Sequence, residues 1–290
     1  MSRRKQILIA LDASSQSLAA LDAAVEIAHQ RGAELLGVFV EDEHLLRITA
    51  CSVAREVGTS AAETRDFKHK DIESIFRAMA SHARNALEMA AERRRIPWSF
   101  QVVRGAVMET LIEMIKEAEV TALGALGSQW PSESGFGSTT MKVLKASKGG
   151  VFIARKGRSI IFPVTVVCKT LAESKAALET AFSMGYLCHH YFNVLYLPGE
   201  NPLHEFELRQ WLTQVSQDRA VLFRMFVIDP PTMMNVAGYL QAFRPGTLIL
   251  PDLDWLKKAK FLKQLQHLDC PIYLIRGMDQ PEEEDLVTEQ

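Results

Sequence analysis

The sequence has few cysteines, no long hydrophobic run and almost no net charge. Its four cysteines include no Cys-x-x-Cys pair, which argues against a zinc ribbon and against a disulfide framework. No stretch approaches the roughly 18 apolar residues of a membrane span. The apolar run behind the basic N-terminus ends after five residues at Asp12, shorter than a secretory signal requires. We therefore expect a soluble, cytoplasmic protein.

A surplus of either charge is also lacking, since 33 Lys and Arg residues nearly balance 35 Asp and Glu residues. Without a basic surplus there is no overall field that attracts nucleic acid. Acidic side chains do accumulate in residues 277–290, which hold six of them and no base. We interpret this segment as a solvated, disordered tail, and we expect neither a nucleic acid nor a membrane as partner.

What the sequence does contain is a regular alternation of strand-like and helix-like patterns. The chain of 290 residues has room for about two domains of roughly 100–200 residues each. A strand at 5–11 is followed by a helix that Ser14 or Ser15 can cap, and strand and helix patterns then alternate to residue 154. This order is typical of an α/β fold with a mostly parallel sheet and helices on both faces.

The same alternation restarts near Pro163, after a basic linker. We therefore predict two tandem, doubly wound, Rossmann-like domains, each with a five-stranded parallel sheet. The predicted divisions are 1–157, 158–276 and the acidic tail 277–290. Ligands of such sheets bind where the strand order reverses, so functional residues should follow strands one, two and four of the first domain. A polar stretch through about Asp66 is expected to connect the second strand to a long helix at about 70–95.

Glycine is concentrated in one loop of the first half. Residues 1–157 hold 11 of the 16 glycines, and four of these lie between positions 124 and 137. Glycines let the backbone approach an anion, and the N-terminus of the helix predicted at 138–147 adds partial positive charge. The hydroxyls of Ser138 and Thr139 can add hydrogen bonds. The loop lacks the Gly-Lys-Ser of a Walker motif. It is either a polyphosphate-binding loop or a vestigial turn that is kept for folding.

The spacing of this loop, Gly-x2-Gly-x9-Gly-Ser, resembles the ATP-binding signature of the universal stress protein family. The opening strand with its Asp-Ala-Ser sequence resembles the first strand of the family, and LLGVFVE resembles the second. The resemblance implies that Asp12 contacts adenosine and that the backbone of Val38 reads the adenine. The other positions that it assigns to the nucleotide are Leu123, Gly124, Gly127, Gly137, Ser138 and Thr139. It covers about 1–156 by motif and 158–276 by pattern only.

The loop departs from the family at several positions. Ala125 and Leu126 stand where the family usually carries a polar or basic pair. The spacer contains no base, and Glu133 would repel a triphosphate if it pointed inward. Trp130 either stacks on a base or covers the loop.

The second half has lost this motif. Its fourth strand is followed by Pro251-Asp-Leu-Asp-Trp255 without a glycine, and Lys169 stands at the position that matches Asp12. We expect no second ATP site and interpret Asp254 as the N-cap of a helix at 255–267. Cys188, His189 and His190 form a short cluster without a fourth ligand nearby, so we assign no metal site.

The resemblance leads to a functional prediction. We expect a stress-response protein that binds ATP or a related adenine nucleotide, with or without Mg²⁺, as a regulatory ligand. No general base is evident, so we assign no catalytic residue and expect slow hydrolysis at most. The last strands of the two halves, near 151–154 and 272–275, are expected to pair into an intramolecular pseudo-dimer, and a homodimer is left open. One alternative is a nucleotide-independent interaction protein with an unknown protein partner; a nucleotide-hydrolysing or adenylate-forming enzyme is disfavoured because no glycine follows the first strand.

Overall fold

The computed structural model describes residues 5–50, 55–57, 64–66, 69–125, 136–155, 157–187, 191–252, 261 and 264–276. In the first half, the elements are β1 (Gln6–Ala10), α1 (Ser15–Arg31), β2 (Glu34–Asp42), α2 (Glu43–Ala50), β3 (Arg55–Val57), β4 (Thr64–Asp66), α3 (His69–Arg93), β5 (Trp98–Gly105), α4 (Val107–Ile115), β6 (Val120–Gly124), α5 (Ser138–Ala146) and β7 (Gly150–Ala154). In the second half they are β8 (Thr165–Cys168), α6 (Leu171–Leu187), β9 (Tyr191–Tyr196), α7 (Leu203–Arg219), β10 (Leu222–Val227), α8 (Met233–Phe243), β11 (Leu248–Pro251) and β12 (Ile272–Ile275).

The predicted α/β class is confirmed, because ten of these strands form one sheet that is parallel except at a single pair. The strand order is β10-β9-β8-β11-β12-β7-β6-β1-β2-β5. The two halves have the same strand order. If the five sheet strands of each half are numbered along the chain, both halves read 3-2-1-4-5 from the outer edge of the sheet to its centre. The division into domains at residue 157 stays a prediction.

Helices cover both faces of the sheet, as the alternation predicts. Ile7 and Ile9 of β1 belong to one hydrophobic cluster and Leu8 to the other, because successive side chains of a strand point to opposite faces. The first cluster receives side chains from α1, α3, α6 and α7, and the second from α4, α5 and α8. Each cluster contains residues of both halves, so the core continues across the whole sheet.

The joint between the halves is the antiparallel pair β7–β12. Phe152 lies opposite Tyr273, and their rings meet edge to face with centroids 6.0 Å apart. The pairing of these last strands is the one that the sequence analysis anticipated. Since Val151 pairs with Leu274 and Ile153 with Ile272, a pseudo-twofold axis passes through the Phe152–Tyr273 pair.

The polar stretch before Asp66 contains more structure than the sequence predicted. It holds the eight-residue helix α2 and an antiparallel pair, β3–β4, outside the main sheet. The helix predicted in the second half at 255–267 falls mostly outside the described residues. None of the helices in the described ranges is long and apolar enough to cross a lipid bilayer.

Candidate functional site

The strand order of the first half reverses between β1 and β6, so the carboxyl ends of β1, β2 and β6 lie at the same edge of the sheet. Ile9 pairs with Gly37 of β2 on one side and with Ala122 of β6 on the other. Crevices at such reversals are where open α/β sheets bind ligands. The residues that follow these three strands therefore define the candidate site.

Asp12 follows β1 and is held in a tight turn. Its Oδ1 accepts hydrogen bonds from the backbone N–H of Ser14 at 3.0 Å and from the Ser14 hydroxyl at 2.6 Å. Ser14 in turn accepts a hydrogen bond from the backbone N–H of Ser17 at 3.1 Å, which confirms Ser14 as the N-cap of α1. The turn bends sharply at Ala13, whose φ is +60°. These bonds fix a partly buried carboxylate at the carboxyl edge of the sheet.

Val38 lies within β2, and its backbone takes part in the sheet. Its carbonyl oxygen accepts a hydrogen bond from the backbone N–H of Leu11 at 2.9 Å, and its side chain is buried. A carbonyl oxygen has two lone pairs. Any ligand contact to this oxygen would therefore use the second lone pair beside an existing bond.

The two ends of the glycine-rich loop are tied together at its base. The backbone N–H of Gly137 donates to the Ala125 carbonyl at 2.8 Å, and the backbone N–H of Ala125 donates to the Ala154 carbonyl at 2.8 Å. The Thr140 hydroxyl lies 3.0 Å from the Gly124 carbonyl oxygen and 3.1 Å from that of Ala125. Leu123 is buried directly before this base. Gly127, Trp130 and Glu133 lie outside the described residues.

The loop ends at the N-terminus of α5. Gly137 is the N-cap residue, and none of the described side chains caps the first turn by a hydrogen bond. Ser138 is exposed, Thr139 is half-buried and Thr140 is buried. The first turn of a helix carries unpaired backbone N–H groups and partial positive charge, so this end of α5 suits an anion.

Sequence reasoning missed Thr140 and Arg155. Thr140 is the third hydroxyl of the run that begins at Ser138, and its inward position becomes visible only once the helix is placed. Arg155 directly follows β7 and is 4% exposed. Its Nη2 donates to the Gln266 carbonyl at 2.8 Å, and its guanidinium carbon lies 5.1 Å from the centre of the Phe136 ring. Its signal in the sequence is a basic residue at the end of an apolar strand, which the sequence analysis interprets as part of the basic linker.

The second half repeats the scaffold without the same groups. The backbone N–H of Lys169 donates to the Ser174 hydroxyl at 3.2 Å, as that of Asp12 donates to the Ser17 hydroxyl at 3.4 Å. The predicted match between Lys169 and Asp12 is therefore confirmed by geometry. Asp254 and Trp255, which the sequence analysis considered beyond β11, lie outside the described residues.

No group of three or more His, Cys, Asp or Glu side chains that suits a metal ion occurs in the described part of the chain. Cys188, His189 and His190 lie outside that part. Cys168 and Cys270 are buried and unpaired with each other. Burial raises the pKa of the Cys168 thiol to about 12 and that of Cys270 to about 11, so both are poor nucleophiles and poor metal ligands at neutral pH.

The sequence and the structure of this chain are both similar to those of known proteins. The sequence model of the Universal stress protein family matches residues 3–155. No curated protein matches the sequence significantly. A universal stress protein from Archaeoglobus fulgidus DSM 4304 has a similar structure, with a TM-score of 0.63 at 14% identity over 95% of this chain and 97% of that chain. A putative universal stress protein from Pseudomonas aeruginosa UCBPP-PA14 has a TM-score of 0.55 at 10% identity over 94% of this chain and 93% of that chain. At these identities, the structures support the fold alone.

Proposed function

This chain belongs to the universal stress protein family, and from that premise we propose that its first half binds ATP or a related adenine nucleotide as a regulatory ligand. The observation that carries the proposal is the common position of two different groups. A fixed carboxylate at Asp12 and the base of a glycine-rich loop lie at the carboxyl edge of the sheet, on the two strands between which the order reverses. A nucleotide needs both kinds of group, one for its sugar and one for its phosphates.

The phosphates are assigned to the loop and to the N-terminus of α5. Gly124, Gly127 and Gly137 would let the backbone approach the anion, and Ser138 and Thr139 would add hydroxyl hydrogen bonds. The support from the described residues is that Gly137 begins α5 without a side-chain cap and that Ser138 is exposed. Leu123 would contribute through its backbone beside the loop.

The adenosine moiety is assigned to the ends of β1 and β2. A carboxylate at Asp12 suits the ribose hydroxyls, which donate hydrogen bonds. The backbone of Val38 would contact the adenine. The Val38 carbonyl oxygen would use the lone pair that does not accept from Leu11, and the adjoining end of β2 would lie beside the ring. Bound Mg²⁺ would neutralise charge on the phosphates, but the described residues suggest no set of carboxylates that would fix it.

A second candidate is an interaction protein that needs no nucleotide. Exposed apolar side chains on α7 favour it, since Leu203 and Phe206 are 61% and 65% exposed and lie three residues apart on the helix. Under this alternative, the second half would present a surface to a protein partner, and the loop would be vestigial. Both candidates are compatible with the same fold and make opposite predictions about ATP.

Titration calorimetry of the purified protein with ATP tests the proposal. We expect saturable binding that Asp12→Asn weakens at least about tenfold, because a charge-assisted hydrogen bond contributes about 1.5–3 kcal/mol. Asn can still accept the hydrogen bonds of Ser14, so the turn is preserved. The matched control is Lys169→Asn at the equivalent position of the second half, which should leave affinity unchanged. Absence of saturable binding, or equal affinity of the wild type and Asp12→Asn, would favour the interaction protein.

A further inference from the structure

We propose that Arg155 supplies the cation that holds a phosphate group of the ligand beside the N-terminus of α5. This inference rests on the proposed function, because it concerns the same site. It names a residue that the loop signature does not contain. It also predicts that the site binds an anionic ligand more tightly than an uncharged nucleoside.

The Arg155 side chain is buried and only partly hydrogen-bonded within the described residues. It is 4% exposed, and within the described residues its Nε and Nη1 have no hydrogen-bond partner, while Nη2 donates to Gln266. Arg155 also forms no ion pair with the described residues. A buried charge without compensation is costly. Burial lowers the pKa of Arg155, and the charge of Asp269 opposes this shift without cancelling it.

Arg276 occupies the same place in the other half. Phe152 and Tyr273 lie opposite each other on the pseudo-twofold axis, and each arginine follows its aromatic residue by three positions. Arg155 donates to the carbonyl of Gln266, directly after the helical residues 264–265. Arg276 donates to carbonyls at the C-terminal end of α5, those of Leu144 at 2.6 Å and Ser147 at 3.2 Å. The two arginines therefore join the halves in the same way.

Within the described residues, the two arginines differ in whether a carboxylate forms an ion pair with them. Nε of Arg276 lies 3.5 Å from a carboxylate oxygen of Asp252, the residue that follows β11. Gly124 pairs with Ala154, and Pro251 pairs with Ile275, so the pseudo-twofold axis relates Asp252 to Ala125. The half without the glycine-rich loop thus carries its own counter-charge. The half with the loop carries an uncharged alanine there, and its arginine forms no ion pair with the described residues.

Phe136 contacts Arg155 directly before α5 begins. The Arg155 guanidinium carbon lies over the Phe136 ring, 5.1 Å from its centre, and Phe136 directly precedes Gly137, the N-cap residue of α5. Ala154, which precedes Arg155, accepts the hydrogen bond from the Ala125 N–H that closes the loop base. Nε and Nη1 of Arg155 are buried and make no hydrogen bond within the described residues. On this proposal, a phosphate at the first turn of α5 would accept hydrogen bonds from the helix N–H groups and from these two donors.

Three ligands and two matched variants test this inference. We would titrate wild type, Arg155→Gln and Arg276→Gln with ATP, inorganic tripolyphosphate and adenosine. Arg155→Gln should weaken ATP and tripolyphosphate about tenfold to a hundredfold and leave adenosine unchanged, since one charge-assisted contact is lost. Arg276→Gln removes an equivalent link between the halves and should leave all three affinities within twofold of wild type. Equal ATP affinities of the two variants would assign Arg155 a structural role only and overturn the inference.

The proposed function and this inference fail in different ways. Binding of ATP that Arg155→Gln does not weaken removes the inference and leaves the proposed function. If tripolyphosphate binds in a way that depends on Arg155 and neither ATP nor adenosine binds, the inference is supported and the proposed binding of an adenine nucleotide is contradicted. Should Arg155→Gln not fold, the wild-type protein still gives the answer by ¹⁵N NMR of arginine side chains, with Arg155→Lys used for assignment. The Nε–H signal of Arg155 should shift downfield on addition of tripolyphosphate, and an unmoved signal overturns the inference.

Discussion

Among single residues, burial determines which side chains can ionise, and Cys168 is the clearest case. This thiol is fully buried in β8, and burial raises its pKa to about 12, whereas an exposed cysteine of the unfolded chain titrates near 8.5. As pH rises above about 9, the unfolded chain loses this proton and the folded chain keeps it. The unfolded state then binds fewer protons, so the free energy of unfolding must fall with increasing pH.

We therefore predict that wild type loses more stability than Cys168→Ala between pH 7.5 and pH 10. Urea midpoints of both proteins at both pH values measure this, and the alanine variant controls for all other groups that titrate in the same range. Replacing the thiol by a methyl group leaves a small cavity, which lowers the free energy of unfolding of the variant equally at both pH values. Equal pH-dependent losses in the two proteins would show that Cys168 ionises freely in the folded state.

Local sequence rules predicted some residues of the site well and could not predict others. Asp12 and the Ser14 cap follow from a strand end and an N-cap preference, both of which act over a few residues. The side chain of Arg155 is positioned by contacts with Gln266 and Phe136, which lie 111 and 19 positions away in the sequence. No local pattern encodes such contacts, so the sequence indicated only a basic linker there.

For helices and strands, two glycines of opposite character test how closely the elements pack. A Cβ atom at Gly149, between α5 and β7, would lie 2.7 Å from the Ala118 carbonyl oxygen and closer still to that of Glu119. At Gly238, within α8, a Cβ atom would meet nothing within 4 Å. The first position thus requires glycine for close approach of two backbones, and the second does not.

We expect Gly149→Ala to destabilise the protein by about 1–3 kcal/mol, since a backbone must shift to admit the methyl group. Gly238→Ala should stabilise it by about 0.5–1 kcal/mol, because alanine loses less conformational entropy in a helix. Chemical unfolding of both variants beside wild type measures the difference. A Gly149→Ala protein as stable as wild type would contradict the close approach of Gly149 to the Ala118 and Glu119 carbonyls.

Prediction of elements succeeded where apolar residues marked the element and failed where few did. Eight strands of the main sheet contain runs of buried residues, and the edge strands β5 and β10 mix apolar with polar residues. Their alternation with helices predicted both the class and the covering of both faces. Helix α2 has eight residues and buries Leu46, too little to show a period. The β3–β4 pair has three residues in each strand and no apolar alternation.

The whole molecule is organised by the joint between its halves. The antiparallel pair β7–β12 continues the sheet, and the hydrophobic clusters on both faces contain residues from each half. The proposed division at residue 157 is therefore a division of topology within a continuous core. In our interpretation, the first half keeps the ligand site and the second completes the scaffold, with Asp252 and Lys169 in place of groups that would favour a phosphate and a ribose.

The number of nucleotides bound per chain tests this account most directly. Equilibrium dialysis against radiolabelled ATP at saturation, with the intact chain, should give close to one ATP per chain. Gly127→Val, which would fill the glycine-rich loop, should reduce that value to near zero, and Lys169→Asn should not change it. A value of zero for wild type, or a value of two, would contradict the claim that the first half alone retains a nucleotide site.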